Sequence, residues 1–85
     1  MPSIEIYSGN YCPYCMRAKS LLKERGLAFT EYNVQQEPTR REEMAKRAPG
    51  VRTIPQIFIN NRHLGGCDDL YALDRKGELK DWLKA

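Results

Sequence analysis

At 85 residues the chain has room for a single domain over residues 1–85, and its 41% hydrophobic and 29% charged residues are those of an ordinary soluble globule. A net charge of +3, with basic residues scattered rather than striped, excludes a nucleic-acid surface built on dense Lys/Arg. No run approaches the ~20 apolar residues of a membrane span, and residues 1–6 lack a basic leader pattern, so a cytoplasmic location with no membrane partner is expected.

Residues 3–7, Ser-Ile-Glu-Ile-Tyr, alternate and are rich in β-branched and aromatic types, which predicts a first strand. Ser8-Gly9-Asn10-Tyr11 is turn-like. The period then changes: Cys15, Ala18, Leu21 and Leu22 recur at helical spacing. Pro13 suits a first helical position and Gly26 a stop, so a helix is predicted over residues 13–25. Leu27 to Val34, with Phe29 and Tyr32, reads as a second strand. Thr39-Arg40-Arg41-Glu42 has the capping-box pattern and opens a second helix, which Pro49-Gly50 ends after Ala48. Residues 56–60 form a third strand, Asn60-Asn61 a turn, and Arg62-His63-Leu64 a short fourth strand broken by Gly65-Gly66. Asp68 is the expected cap of a helix carrying Leu70, Tyr71 and Leu73, and a short last helix runs from Glu78 to Leu83. The order β-α-β-α-β-β-α predicts an α/β fold. Its first three elements make a right-handed parallel unit. A hairpin of strands three and four completes a four-stranded mixed sheet with helices on both faces.

Three cysteines, Cys12, Cys15 and Cys67, are too few and too odd in number for a disulfide framework, and point to catalysis or metal binding. Cys12-Pro13-Tyr14-Cys15 sits where a strand ends and a helix begins. With Cys12 as the cap, its thiolate meets the free N–H groups and positive dipole end of the first turn. These lower a thiol pKa from ~8.5 toward the ~3.5–7.5 of such motifs. Cys12 is therefore the predicted nucleophile. Cys15, one turn on and nearer the buried side, is the predicted resolving thiol. The alternative for the same spacing is half a zinc site, completed arithmetically by His63 and Cys67. No second Cys-x-x-Cys accompanies it, and no metal is expected.

Two further segments stand out. In Arg52-Thr53-Ile54-Pro55-Gln56 a proline opens a strand that should be central, where it removes a ladder donor. Either the turn is an ordinary trans one, or Ile54-Pro55 is cis and exposes the backbone of Ile54 to a peptide added as a strand. In Gly65-Gly66-Cys67-Asp68-Asp69 the glycines permit close backbone approach. The helix start offers N–H groups to a carboxylate, and Asp68 could pair with an amino group. A plain turn with a capping aspartate accounts for the same residues. His63 reads as a surface strand residue, and the scattered cations as solvated helix faces or a weakly positive rim.

Together these segments resemble the glutaredoxins, most closely the small bacterial dithiol kind. The resemblance rests on Cys12-Pro13-Tyr14-Cys15 with Arg17-Ala18-Lys19, on Arg41-Glu42-Glu43-Met44, on residues 53–59 (Thr-Ile-Pro-Gln-Ile-Phe-Ile) and on residues 65–73 (Gly-Gly-Cys-Asp-Asp-Leu-Tyr-Ala-Leu). It implies a thioredoxin-like fold and a cis bond before Pro55. It implies glutathione as co-substrate, with Cys12 and Cys15 catalytic. The implied groove consists of Cys12, Tyr14, Thr53, Ile54, Pro55, Gly66, Cys67 and Asp68. Ile54 backbone pairs with the cysteinyl part of glutathione in the family pattern, and the Cys67-Asp68 helix start takes the γ-glutamyl end.

Protein disulfides and glutathionylated proteins, ribonucleotide reductase among them, are the implied partners of a monomer. Iron–sulfur bridging between subunits, or feeding by thioredoxin reductase, are the rival readings. Pro13 stiffens the loop against the first; the Pro-Tyr pair and Gly65-Gly66-Cys67-Asp68 argue against the second. One departure is visible. Many glutaredoxins carry a lysine near Gly9 or Asn10, and here the segment is Ser8-Gly9-Asn10-Tyr11. Arg41 and Arg52 are the candidates to meet the glycine carboxylate in its place. Cys67 is either a small wall residue of the groove or a third redox thiol.

Overall fold

A computed structural model describes residues 2–84. The elements are β1 (Ile4–Ser8), α1 (Pro13–Glu24), β2 (Thr30–Asn33), α2 (Pro38–Arg47), β3 (Gln56–Ile59), β4 (Arg62–Gly65), α3 (Cys67–Lys76) and α4 (Leu79–Leu83). The sheet order is β2-β1-β3-β4. β1 runs parallel to β2 and antiparallel to β3, and β3 is antiparallel to β4. The expected mixed sheet with helices on both faces is what forms. No helix among the described residues is long and apolar enough to cross a membrane.

The two-residue period of the central strands builds the layers. Ile4, Ile6, Ile57 and Ile59 face one side, where Ala18, Leu21 and Leu22 of α1, Leu70 of α3 and Leu79 of α4 bury them. Tyr7 and Phe58 face the other, against Val34 and against Met44 and Ala48 at the end of α2. That second side also holds a polar knot. The Arg47 guanidinium lies 4.0 Å over the Phe58 ring and donates to Glu5 Oε1 at 2.9 Å and to the Tyr7 hydroxyl at 2.9 Å. The Tyr7 hydroxyl in turn donates to Glu43.

Several boundaries differ from the sequence reading, each for a local reason. β2 is confined to Thr30–Asn33 because α1 ends in a glycine-stopped motif at Gly26 (φ 69°). The Leu27 N–H is spent on the Leu22 carbonyl at 2.9 Å and the Gly26 N–H on Lys23 at 3.0 Å, so the chain joins the sheet later. α2 starts at Pro38, whose missing N–H suits the first helical position, after Glu37 as cap. The capping box expected from Thr39 and Glu42 is therefore displaced and does not form. α3 is capped by Gly66, not Asp68. Asp69 accepts the Gly66 N–H at 2.9 Å, and Asp68 is the second helical residue. Asn60 and Asn61 (φ 51° and 66°) make the two-residue turn of the β3–β4 hairpin, as expected.

Burial raises the Tyr7 hydroxyl to about 12, and its bond to Glu43 adds to the effect. The folded state thus keeps the phenol neutral while the unfolded chain ionises it near 10. The associated stability is intact below pH 10 and is lost as pH rises toward 12, up to about 3 kcal/mol. Denaturant midpoints measured from pH 9 to 12 should fall more steeply in the wild type than in Tyr7→Phe. Equal slopes would show that Tyr7 ionises normally in the fold.

Candidate active site

The redox pair lies at the start of α1. Cys12 is the cap, in extended backbone (φ −109°, ψ 102°), with Pro13 in the first turn. Cys12 Sγ accepts the Cys15 N–H at 3.2 Å. Cys12 and Cys15 are joined as a disulfide with Cα atoms 5.2 Å apart, so the structure is that of the oxidised pair. Cys15 is 1% exposed and sits in the core; Cys12 is half-buried. An external sulfur therefore reaches the pair at Cys12.

At the end of the sheet where β1 leads to the pair, Ile54-Pro55 is cis. Pro55 is buried, and a Cβ placed on Gly66 would lie 3.3 Å from the Pro55 carbonyl oxygen. The start of β3 and the start of α3 thus meet almost backbone to backbone. They form one wall of an open cleft of about 620 Å³ that brings together Tyr14, Thr53, Ile54, Pro55, Gly66, Cys67 and Asp68. Of the residues expected in the groove, Cys12 alone is not in the lining; it precedes the Tyr14 wall by two residues. Arg52 lines the cleft and Arg41 does not. His63 and Cys67 do not close a metal site with the pair. Among the described residues no three His, Cys, Asp or Glu side chains gather at metal-binding distance.

Sequence reasoning missed a polar support behind this wall. His63 Nε2 is 2.6 Å from Gln56 Oε1, and its ring tilts over Phe58 at 4.9 Å. The Gln56 amide donates to the Thr53 carbonyl at 3.0 Å and approaches its hydroxyl at 3.3 Å. His63 is a surface residue as expected, yet it lines the cleft and acts through buried Gln56 on Thr53. The available signal was Gln56 itself, a polar residue opening an apolar central strand.

Cys67 is 3% exposed, and burial pushes its thiol up, with the Asp68 charge adding and the Arg17 charge opposing. In place of a lysine before the first cysteine there is a clasp of neutral amides. The Asn10 N–H donates to Gln35 Oε1 at 2.6 Å, and Asn10 Oδ1 accepts from Asn33 Nδ2 at 2.9 Å. A Cβ on Gly9 would fall 2.6 Å from the end of the Ile54 side chain, so the loop lies directly against the cleft wall. Lower down, Glu31 accepts from Lys19 at 2.8 Å and from buried Ser8 at 2.5 Å. Burial raises that carboxyl, but these donors outweigh it and hold it below the usual range.

A parallel β-α-β unit carrying a disulfide pair at its helix start, beside a cis proline, defines a thiol–disulfide oxidoreductase of thioredoxin-like fold. The glutaredoxin family model matches residues 4–64, and the chain belongs to that family. It is 52% identical to glutaredoxin 3 of Escherichia coli K12 over 84 residues, 99% of this chain and 100% of that one. The solution structure of glutaredoxin from Brucella melitensis superposes with a TM-score of 0.82 at 49% identity, covering 96% of this chain and 88% of that one. The crystal structure of a buckwheat glutaredoxin–glutathione complex superposes with a TM-score of 0.85 at 30% identity, covering 96% and 76%.

The cleft wall depends on Gly65, which has φ 128° and whose Cβ would lie 2.7 Å from Asp69 Cγ. Gly65→Ala should cost about 1–3 kcal/mol, through backbone strain and displacement of the Asp69 cap. Gly77→Ala, at φ 74° in open space, should cost less. Thermal unfolding of the two variants checks the order. Equal losses would reject the Asp69 contact as the cause.

Proposed function

We propose that the chain reduces protein disulfides and glutathione mixed disulfides with glutathione as its electron source. The observation that carries this reading is the cleft of about 620 Å³ walled by the Thr53–Pro55 edge, the α3 start and Tyr14, two residues after Cys12. Its wall chemistry suits a tripeptide thiol. Ile54 backbone offers a strand edge to the cysteinyl residue. The first N–H groups of α3 suit the γ-glutamyl carboxylate, and Asp68 suits its amino group. Arg52 is the cation for the glycine carboxylate. The buckwheat relative's complex with glutathione supports the same ligand class.

In the dithiol route, the Cys12 thiolate attacks one sulfur of a substrate disulfide. The substrate S–S bond breaks, a Cys12–substrate bond forms, and the other sulfur leaves as a thiolate and takes a proton. The Cys15 thiolate then displaces the bound sulfur, which also takes a proton, leaving Cys12–Cys15 oxidised and two substrate thiols. Two glutathiones restore the pair: the first opens it as a mixed disulfide on Cys12, and the second releases Cys12 and leaves as glutathione disulfide. In the monothiol route Cys12 takes the glutathionyl group from a mixed disulfide, and a second glutathione removes it. Glutaredoxin potentials of about −200 to −230 mV lie near the biochemical range of the glutathione pool, so such a couple is rechargeable by it.

Turnover coupled to glutathione and glutathione reductase should proceed, and turnover coupled to thioredoxin reductase should be at least about tenfold slower; the reverse order would overturn the reading. Cys12→Ser should lose essentially all activity. Cys15→Ser should lose protein-disulfide reduction while keeping most removal of glutathione from mixed disulfides. Equal loss of both activities in Cys15→Ser would reject the two-route scheme.

A further inference from the structure

Two large apolar side chains flank Cys12 without a partner. With Cys12 as the cap of α1, Tyr11 is the residue before the cap and Met16 the fourth helical residue. These are the positions at which an apolar pair commonly closes over a helix start. Here the pair stands open: Tyr11 is 99% exposed and Met16 63% exposed. Tyr11 has φ 52°, a left-handed backbone unfavourable for a bulky residue, and its ring is in solvent. Neither side chain lines the tripeptide cleft. The exposure serves neither the core nor the groove.

Its position is informative. Cys15 is buried, so every substrate sulfur approaches at Cys12, between Tyr11 and the exposed first turn of α1. The segment that carries Cys12 has only positive charge, while Asp68 and Asp69 lie on the cleft side. From Ile6 to Lys23 the sequence has no Asp or Glu. Lys19 is paired with Glu31, whereas Arg17 stacks 5.2 Å over Tyr71 and, among the described residues, pairs with no carboxylate.

We propose that Tyr11 and Met16 are a docking surface for polypeptide disulfides whose cysteine is flanked by an aromatic or long aliphatic side chain, with an acidic residue close by. The flanking side chain lies between Tyr11 and Met16, and the acid faces Arg17. The docked cysteine is then held for attack by the Cys12 thiolate: the substrate S–S bond breaks, the Cys12–substrate bond forms, and the second substrate sulfur departs as a thiolate. Cys15 completes the two-electron transfer. The inference rests on the reading of Cys12 as the attacking thiol, not on glutathione as the reductant.

The test uses three peptides, each closed by one internal disulfide, with Phe-Cys and Asp, Ser-Cys and Asp, or Phe-Cys and Lys at the same positions. Wild type, Tyr11→Ser, Met16→Gln and the double variant are compared, with dithiothreitol as electron source. The mixed disulfide of glutathione and 2-mercaptoethanol, reduced with glutathione, is run in parallel. Wild type should favour Phe-Cys with Asp over Ser-Cys with Asp by roughly tenfold in kcat/KM, mostly through KM. The Lys peptide should fall between them. The double variant should lose the preference while its turnover of the small mixed disulfide stays unchanged.

No preference in wild type, or a preference that survives in the double variant, overturns the proposal. So does a parallel fall with the small mixed disulfide, since Tyr11 and Met16 would then act on the redox pair itself. A wild-type dimer that dissociates in the double variant on gel filtration overturns it too, by making this face a contact between copies of the chain. Failure of the glutathione arm alone, with the peptide preference intact in dithiothreitol, would reject the glutathione reading and leave the docking surface standing.

Discussion

The antiparallel pairing of β3 with β1 decides where everything chemical in this molecule can be. Tyr7 lies opposite Gln56, so the last residues of β1 lie beside the first of β3. β1 therefore delivers the chain to Cys12 at the same end of the sheet at which β3 begins, one residue after Pro55. β4 returns antiparallel to β3, with Gly65 opposite Ile57, and releases the chain into α3 at that end again. Three segments far apart in sequence, around residues 12, 54 and 66, converge because strand direction alternates. The buried isoleucines of β1 and β3 hold that register. A slip of one residue would turn Ile4, Ile6, Ile57 and Ile59 toward α2 and away from the helices that cover them.

That dependence explains why the fold was largely legible and the site only in outline. Alternation in β1 and the 3.6-residue period of Ala18, Leu21 and Leu22 are local signals, and they name their elements correctly. Boundaries failed where a donor is claimed from outside the element. The Leu27 N–H belongs to α1 by its bond to Leu22, which no strand propensity reveals. Asp68 is a good cap by type. The helix nevertheless starts one residue earlier, with Gly66 as the cap and Asp69 accepting its N–H.

At the site, cysteine spacing identified the pair and its helix-start placement, and the glycine and proline segments marked the wall. The His63–Gln56–Thr53 chain stayed hidden because it joins β4, β3 and the loop before β3 through one buried amide. A lone polar residue in β3 signals that something must satisfy it, without saying what. The loop before Cys12 is a similar case. The lack of a lysine there is plain in the sequence, but the replacement is not. Asn10 follows β1, Asn33 ends β2 and Gln35 follows it, and these segments adjoin only because β1 and β2 are parallel neighbours. Their amides position the loop by geometry and add no charge to it.

The two surfaces around Cys12 divide recognition by physical kind. As proposed, the cleft offers a ligand backbone, helix-start N–H groups and a few charges, and Gly65 and Gly66 keep side chains out of the way. Such a wall reads main chain and termini, which suits one small partner and is nearly blind to the residues flanking a protein cysteine. Tyr11 and Met16 are the reverse: they carry apolar area and no directed donors beyond a phenol, so they register the shape and hydrophobicity of a neighbouring side chain. Burying both in a closed staple would have tightened the start of α1. Leaving them in solvent forgoes that stability and keeps apolar area at the one point where a substrate sulfur must arrive. Selection among protein partners can then change through residues 11 and 16 without disturbing the redox pair or the wall beside it.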